Sequence, residues 1–578
     1  MKILLFFLLA FLVPVNNIPE KIILQPAQRG EFDYTSYTMK SMTLREKISQ
    51  MIVSYSDGFS LSESSSEFKR LKNVVQNEKI GGIIFFKGNS VQQAEFTNKL
   101  QSLAEIPLLI SQDCERGTGM RLNDGSIFPS NMALGATRNK ELAYQMGKII
   151  ALECKSFGVH QNYAPVMDVN NNPGNPIINV RSFGEDPKLV SMMGIQMIKG
   201  IQDAGLIATA KHFPGHGDTD VDSHSDLPVI NFGMERLEEV ELAPFKAAIE
   251  TGVKSVMIAH LSFPALDNTP YLPSSLSKNI VDGLLIKKMG FGGLIVTDAL
   301  NMDGITKHFN AKQVAVLCVE AGIDLILMPQ GEKITIDAIE AAVKAGKISE
   351  ERIDISVKKI LDAKYKLGLN ENKYVDVNKV GETVNSSESK KISQMIADES
   401  ITLVKDNGNF LPFGKKSKDK KCLIISLNNG KENAMSNLFI EEFSARSEDY
   451  FSQTSSLDRT GDLSDGAYIE EEADKYDVII IPVYAKVKIR TGTVGLPQTQ
   501  LDLINKLTTK GKKVVVISYG NPYLINGFDG VEAYICAYAD AWCSVKAGVK
   551  TLFGEIKFNG QLPVTINDKY TFGTGIKK

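Results

Sequence analysis

The chain has 578 residues, of which 43% are hydrophobic and 23% charged, with a formal net charge of −3. That length calls for more than one folding unit, although a single barrel absorbs roughly 250 residues. The composition is that of a globular protein with sizeable cores, which excludes a disordered or fibrous chain, and the lack of a basic stripe excludes nucleic acid as the main partner.

In chain order, Met1-Lys2 precedes the apolar run Ile3 to Val15, interrupted only by Pro14. A short positive region and a short apolar region predict a secretory signal over residues 1–18 and an exported protein. The run is too short for a membrane-spanning helix, which needs about 20 apolar residues, and no later segment reads as an integral span. Short apolar segments then alternate with helical patterns. Strands are predicted at Met51–Ser54, Ile80–Phe86, Leu108–Ser111, Gln161–Val166, Ile207–Lys211, Ser255–Ala259, Gly293–Thr297 and Asp324–Met328. Amphipathic helices are expected between them, among them Glu141–Ser156, Met234–Thr251 and Ala311–Ala321. Eight near-continuous apolar strands separated by helices predict an N-terminal (β/α)8 TIM barrel over residues 30–370. The charged stretch 371–395 reads as a linker leading into a helix. Its triplet Asn385-Ser386-Ser387 is a glycosylation acceptor where the source glycosylates. Residues 396–578 read as a smaller α/β sandwich with a mainly parallel sheet, with strands at Lys421–Ser426, Val478–Pro482, Val514–Ser518 and Ala533–Tyr538. Six scattered cysteines are too few for a disulfide scaffold, and no C-x-x-C zinc pattern occurs.

Chemistry concentrates after the fifth strand. Residues 211–224 read Lys-His-Phe-Pro-Gly-His-Gly-Asp-Thr-Asp-Val-Asp-Ser-His, and three of the six histidines fall between His212 and His224. Glycines and proline make this segment a loop, and in a barrel the loops at the carboxyl ends of strands build the active site. A solvated structural turn and a metal site compete with that reading, but the histidine spacing matches no helical zinc motif. In an extended segment residues two apart share a side, so Asp222 reaches the ring of His224. A carboxylate on one ring nitrogen orients the imidazole and leaves the other as proton donor and acceptor near neutral pH. At the seventh strand, a largely apolar run ends in Asp298. A carboxylate there sits at the barrel mouth, either as a nucleophile or as a cap for the next helix.

The Lys-His-Phe-Pro-Gly-His-Gly segment followed by Asp-Ser-His resembles the β-N-acetylglucosaminidase branch of glycoside hydrolase family 3. Asn175 to Gly184 is similar to the family's arginine-bearing substrate loop. Met257–His260, Ser274–Ser277 and Thr297–Leu300 fall in the family's order, and Ile401–Lys405 with Leu411-Pro412 resembles the start of its second domain. The resemblance implies a retaining, exo-acting glycosidase that releases terminal β-linked N-acetylglucosamine from a small oligosaccharide or glycan. It needs no cofactor and no metal. Asp298 would be the nucleophile, His224 the acid/base and Asp222 its partner, while Asp113, Arg181, Lys211 and His212 match positions that hold sugar hydroxyls. An ion pair of Arg181 with Glu185 or Asp186 is the structural alternative. The segment Asp113-Cys114-Glu115-Arg116-Gly117-Thr118-Gly119-Met120-Arg121-Leu122 departs from the family's Asp-x-Glu-Gly-Gly-Arg-Val at Arg116 and at Thr118–Met120, which affects aglycone contacts. His216 is expected only to shape the loop.

Several rivals stay open. In one, the acetamido group of the substrate replaces Asp298 as the attacking group. A β-glucosidase of the same family would take its acid from the second domain, and a phosphorylase would use phosphate in place of water. Outside these lie a metal-dependent hydrolase using His212, His216 and His224, and a carbohydrate-binding protein with no activity. The second domain either braces the barrel or covers the substrate.

Overall fold

The computed structural model describes residues 33–58, 62–220, 226–413, 421–429, 434–447, 452–457, 469–485 and 494–578. The expected export signal lies outside the described residues, as do Asp222 and His224. Eight parallel strands form the first sheet: β1 (Ile52–Ser56), β2 (Gly82–Phe85), β3 (Leu109–Gln112), β4 (Gln161–Asn162), β5 (Ile207–Phe213), β6 (Ser255–Ile258), β7 (Leu294–Thr297) and β8 (Ile326–Leu327). Their order is β7-β6-β5-β4-β3-β2-β1-β8. The ring closes between β7 and β8 through a parallel bridge of Val296 to Leu325, with Thr297 N donating to Leu325 O at 3.1 Å. Each predicted barrel strand thus exists. They are continuous apolar runs because helices cover one face and the barrel interior the other.

The helices have local causes. Asn139 Oδ1 accepts from Glu141 N at 3.1 Å and Leu142 N at 3.4 Å, which starts the helix Lys140–Ser156. Asn310 and Gln313 form a capping box at the start of Ala311–Ala321, and Gly322 at φ 116° ends it. The expected helix Met234–Thr251 is instead two short α-segments, Met234–Arg236 and Ala243–Glu250, joined by a π-turn over Leu237–Glu241. Pro244, at the start of the second segment, has no N–H to extend the first. The expected linker is largely ordered. It contains the helix Val380–Thr383, and Ser386 caps the helix Ser387–Ser400.

The second sheet has six strands: β9 (Thr402–Asp406), β10 (Cys422–Asn428), β11 (Ser452–Leu457), β12 (Val478–Tyr484), β13 (Lys513–Ser518) and β14 (Ala533–Cys536). Their order is β11-β10-β12-β13-β14-β9. Five run parallel, while β9 lies antiparallel against β14 at one edge. The parallel strands follow a doubly wound 2-1-3-4-5 order, in which ligands meet the carboxyl ends of the strands. All six cysteines are buried.

The two sheets are joined by shared packing. Met132, Ala133 and Ala136, on the helix Asn131–Thr137 that follows the β3 loop, belong to the apolar core of the second sheet. Glu185 accepts from Thr565 N and Thr565 Oγ1, both at 2.6 Å. Ser130 Oγ donates to Tyr538 O at 2.9 Å, and Asn170 Nδ2 to Tyr523 Oη at 3.0 Å.

Candidate active site

The carboxyl ends of the barrel strands open on a cavity of about 630 Å³. Asp57, Asp113 and Asp298 each follow directly on the end of a strand, β1, β3 and β7, and all three line the cavity. Asp298 is fixed by its backbone. Its N–H donates to Ile258 O at 2.9 Å, and Oδ1 accepts from Ala299 N at 2.7 Å. Next to it, His260 Nδ1 pairs with Ser275 Oγ at 2.8 Å and Nε2 with Ala299 O at 3.1 Å, which joins the β6 and β7 loops. Ser275 is thus part of the site's frame.

In an eight-strand ring, β3 lies four places from β7, on the opposite wall. That wall carries a charge cluster. Strand β5 is buried along its whole length and brings Lys211 to the barrel mouth at only 2% exposure. Lys211 Nζ lies 2.8 Å from Asp113 Oδ1 and 2.8 Å from Glu115 Oε1. Arg181 holds Glu115 in a two-point grip, Nε to Oε2 at 3.0 Å and Nη2 to Oε1 at 2.7 Å. Arg121 adds a third cation, with Nη2 3.3 Å from Asp113 Oδ2. Burial opposes the charge on Glu115, but Arg181 and Lys211 outweigh it and hold the carboxyl well below the usual range. Burial likewise opposes the charge on Lys211, but Asp113 and Glu115 raise its pKa. The alternative pairing of Arg181 with Glu185 or Asp186 is therefore wrong: Glu185 is committed to Thr565.

Asp168, fully buried just past β4, organises the histidines. Its Oδ2 lies 2.7 Å from His212 Nδ1, and its Oδ1 accepts from His212 N at 3.1 Å and His216 N at 2.8 Å. Burial penalises this carboxylate, yet His212 and His216 hold it below its usual value. His212 Nε2 then faces Arg181 Nη2 at 3.4 Å. Burial pushes His216 down to about 4, so its ring is neutral near pH 7. Asn175 Nδ2 donates to His216 O at 2.9 Å and Gly217 O at 3.0 Å, tying the β4 loop to the histidine loop. Gly217 is required there, since a Cβ would sit 1.7 Å from Val169 O.

The structure brings Asp298, Asp113, Arg181, Lys211 and His212 to one cavity. His216 lines it too. Sequence reasoning missed Asp168, whose only signal is its place after the fourth strand. The second domain, expected either to brace the barrel or to cover the substrate, supplies part of the wall. Ala485, Tyr519, Gly520, Asn521, Tyr538, Ala539 and Asp540, past the ends of β12, β13 and β14, line the same cavity. Among the described residues no group of three or more His, Cys, Asp or Glu side chains is placed to hold a metal ion. Also among them, no helix is long and apolar enough to cross a membrane.

Acidic groups at the strand ends of a (β/α)8 barrel, facing paired cations across one chamber, define a barrel enzyme of the glycoside hydrolase class. Residues 43–363 match the glycosyl hydrolase family 3 N-terminal domain and residues 401–573 its C-terminal domain, and the chain belongs to that family. It is 30% identical to beta-hexosaminidase A of Pseudoalteromonas piscicida, over 86% of this chain and 91% of that protein. A glycoside hydrolase family 3 beta-N-acetylglucosaminidase from Paenibacillus sp. str. FPU-7 superposes with a TM-score of 0.81 at 34% identity, covering 91% of this chain and 99% of the other. A beta-glucoside phosphorylase superposes with a TM-score of 0.83 at 27% identity, covering 92% and 96%.

Proposed function

We propose that this protein is an exo-acting, retaining β-N-acetylglucosaminidase working through a glycosyl-aspartate. The observation that carries the reading is Asp298, held at the end of β7 and facing the Asp113–Lys211–Glu115–Arg181 cluster across the ring. The likeness to the Pseudoalteromonas and Paenibacillus proteins supports N-acetylglucosamine as the sugar released. In this reading Asp113 accepts from a sugar hydroxyl, and Lys211, Arg181 and His212 fix the ring from the same side. Asp298 attacks the anomeric carbon while His224, oriented by Asp222, protonates the leaving oxygen. The bond to the aglycone breaks as the bond to Asp298 forms. His224 then takes a proton from water, which releases the sugar with its β configuration retained. Because Glu115 is spent on Arg181 and Lys211, it serves as their counter-ion rather than as a proton donor. Residues 1–18 are read as an export signal, so the mature protein is expected to begin beyond them.

The test is the initial rate on an aryl β-N-acetylglucosaminide beside the aryl β-glucoside, in phosphate-free buffer. Strong preference for the acetylated sugar is expected, and preference for the glucoside overturns the reading. Asp298→Ala should lower kcat on the order of 10⁴-fold or more. A glycosyl adduct on Asp298, detected by mass spectrometry after rapid quenching, separates this route from attack by the acetamido group, which leaves none. Phosphorolysis is the second reading, favoured by the likeness to the phosphorylase. It predicts a sugar 1-phosphate once inorganic phosphate is added.

A further inference from the structure

The wall built by the β3, β4 and β5 loops carries four cations, Arg116, Arg121, Arg181 and Lys211, and two carboxylates, Asp113 and Glu115, among the residues that line the cavity. Three of the four cations are paired with those carboxylates. Arg116 is different. It lines the cavity and is partly buried, yet among the described residues its side chain makes no ion pair and donates no hydrogen bond. Its backbone is fixed, with N donating to Met120 Sδ at 3.3 Å and O accepting from Phe128 N at 3.0 Å. A guanidinium is thus held at the chamber wall by an ordered loop, with the neighbouring carboxylates already committed. Partial burial of a cation without a counter-charge is costly, and a guanidinium suits a two-oxygen anion.

A second observation lies in the same cavity. Asn131, at 2% exposure, also lines the cavity. Its Nδ2 donates to Arg181 O at 2.7 Å, while its buried Oδ1 meets no donor among the described residues. The remaining cavity acids, Asp57, Asp298 and Asp540, come from β1, β7 and the second sheet.

We propose that Arg116 sets substrate preference by taking an oxyanion, a carboxylate in the first instance, carried by the glycan beyond the sugar that Asp113 and Lys211 hold, with Asn131 Oδ1 accepting an N–H or hydroxyl of the same part. The inference rests on the glycosidase reading above and deepens it by assigning a charge to the aglycone. An aglycone group is favoured over a group on the released sugar, because the sugar is assigned to Asp113, Lys211 and Arg181, whose charges are already paired within the cluster.

The experiment uses the full chain and two disaccharides, N-acetylglucosamine β-linked to glucuronic acid and the same compound as its methyl ester. The readout is the ratio of kcat/KM, acid to ester, within each variant. Wild type should favour the acid by about tenfold at low salt, with the ratio shrinking as salt screens the charge. Arg116→Met should bring the ratio near one, and Arg116→Lys should keep part of it. A wild-type ratio near one both here and for a 6-O-sulfated disaccharide beside its unsulfated form, or a ratio unchanged in Arg116→Met, overturns the proposal. Should Arg116→Met fail to fold, Arg116→Lys and the salt series carry the same decision. A 6-O-sulfated disaccharide beside its unsulfated form separates a sulfate ester from a carboxylate, and an Arg116-dependent preference for either supports the oxyanion site. Acceleration of the ester by inorganic phosphate that depends on Arg116, with no preference for the acid, assigns the residue to an acceptor instead and overturns the proposal. Failure to release N-acetylglucosamine from the neutral ester sinks the underlying glycosidase reading, a different result from losing the ratio.

Discussion

Glu115 is the residue on which the charged wall depends. It accepts from Arg181 at two points and pairs with Lys211, all in a nearly dry setting. Glu115→Gln should leave both cations short of a counter-charge. The expected cost is about 3–5 kcal/mol of stability, read by urea denaturation, together with a loss in kcat/KM that far exceeds that of a surface substitution. The acid limb of stability has two sources. Glu115 and Asp168 have lowered folded pKa values, so their contribution is complete above the ordinary carboxylate range and is lost as pH falls through the lowered values. His216, held to about 4, and His160, held to about 3, act earlier. Between about pH 6.5 and 4 the unfolded chain takes up these protons and the folded one does not, so stability falls as pH drops. His216→Gln should flatten that window, as measured by urea midpoints from pH 7 to 4.5. Asp298 was legible from its place at the end of an apolar strand, whereas Asp113, Lys211, Arg181 and His212 were singled out through the family resemblance. Asp168 was not legible, since Pro165–Val169 reads as the apolar continuation of β4 and gives no sign that the carboxylate turns back to serve two histidines.

At the scale of elements, every barrel strand was legible from its apolar run, and errors gathered where tertiary packing overrides local pattern. The segment Ser452–Leu457 is Ser-Gln-Thr-Ser-Ser-Leu, too polar to read as a strand, and it forms because an edge position needs only one partner, β10. Strand β9 was hidden by its antiparallel direction, which no parallel pattern predicts. The barrel floor carries a buried charge site of its own. Lys364, on the helix Glu350–Lys366, is fully buried, donates to Gln50 Oε1 at 2.7 Å, and is pushed down to about 7 by burial. Below pH 7 the fold carries a desolvated ammonium, and the penalty fades as pH rises toward the unfolded value near 10.5. Lys364→Met should therefore stabilise the protein by about 1–2 kcal/mol at pH 6 and by less at pH 9, in paired thermal melts.

For the whole molecule, the junction between the sheets is the part the sequence concealed. Tyr538 and Asn131 are about four hundred residues apart in the chain, and nothing local tells either that it will share a chamber wall. The helix Asn131–Thr137 starts from a barrel loop yet completes the apolar core of the second sheet. Met132→Ala should cost about 2–5 kcal/mol and lower the unfolding temperature of barrel and second sheet together, in a single calorimetric peak. Two separated peaks, with only one moved, would show that the units melt independently.

The chamber has walls from both sheets, so a molecule that fills it recognises their docked arrangement and not either part alone. Occupancy and adhesion are then linked quantities. Whatever binds there adds its own mass-action term to the cohesion of the two halves, about 2.7 kcal/mol at a hundred times the Kd. A glycan in the chamber thus works as a removable fastener between them, and each round of product release loosens the molecule at the seam where the next substrate is received.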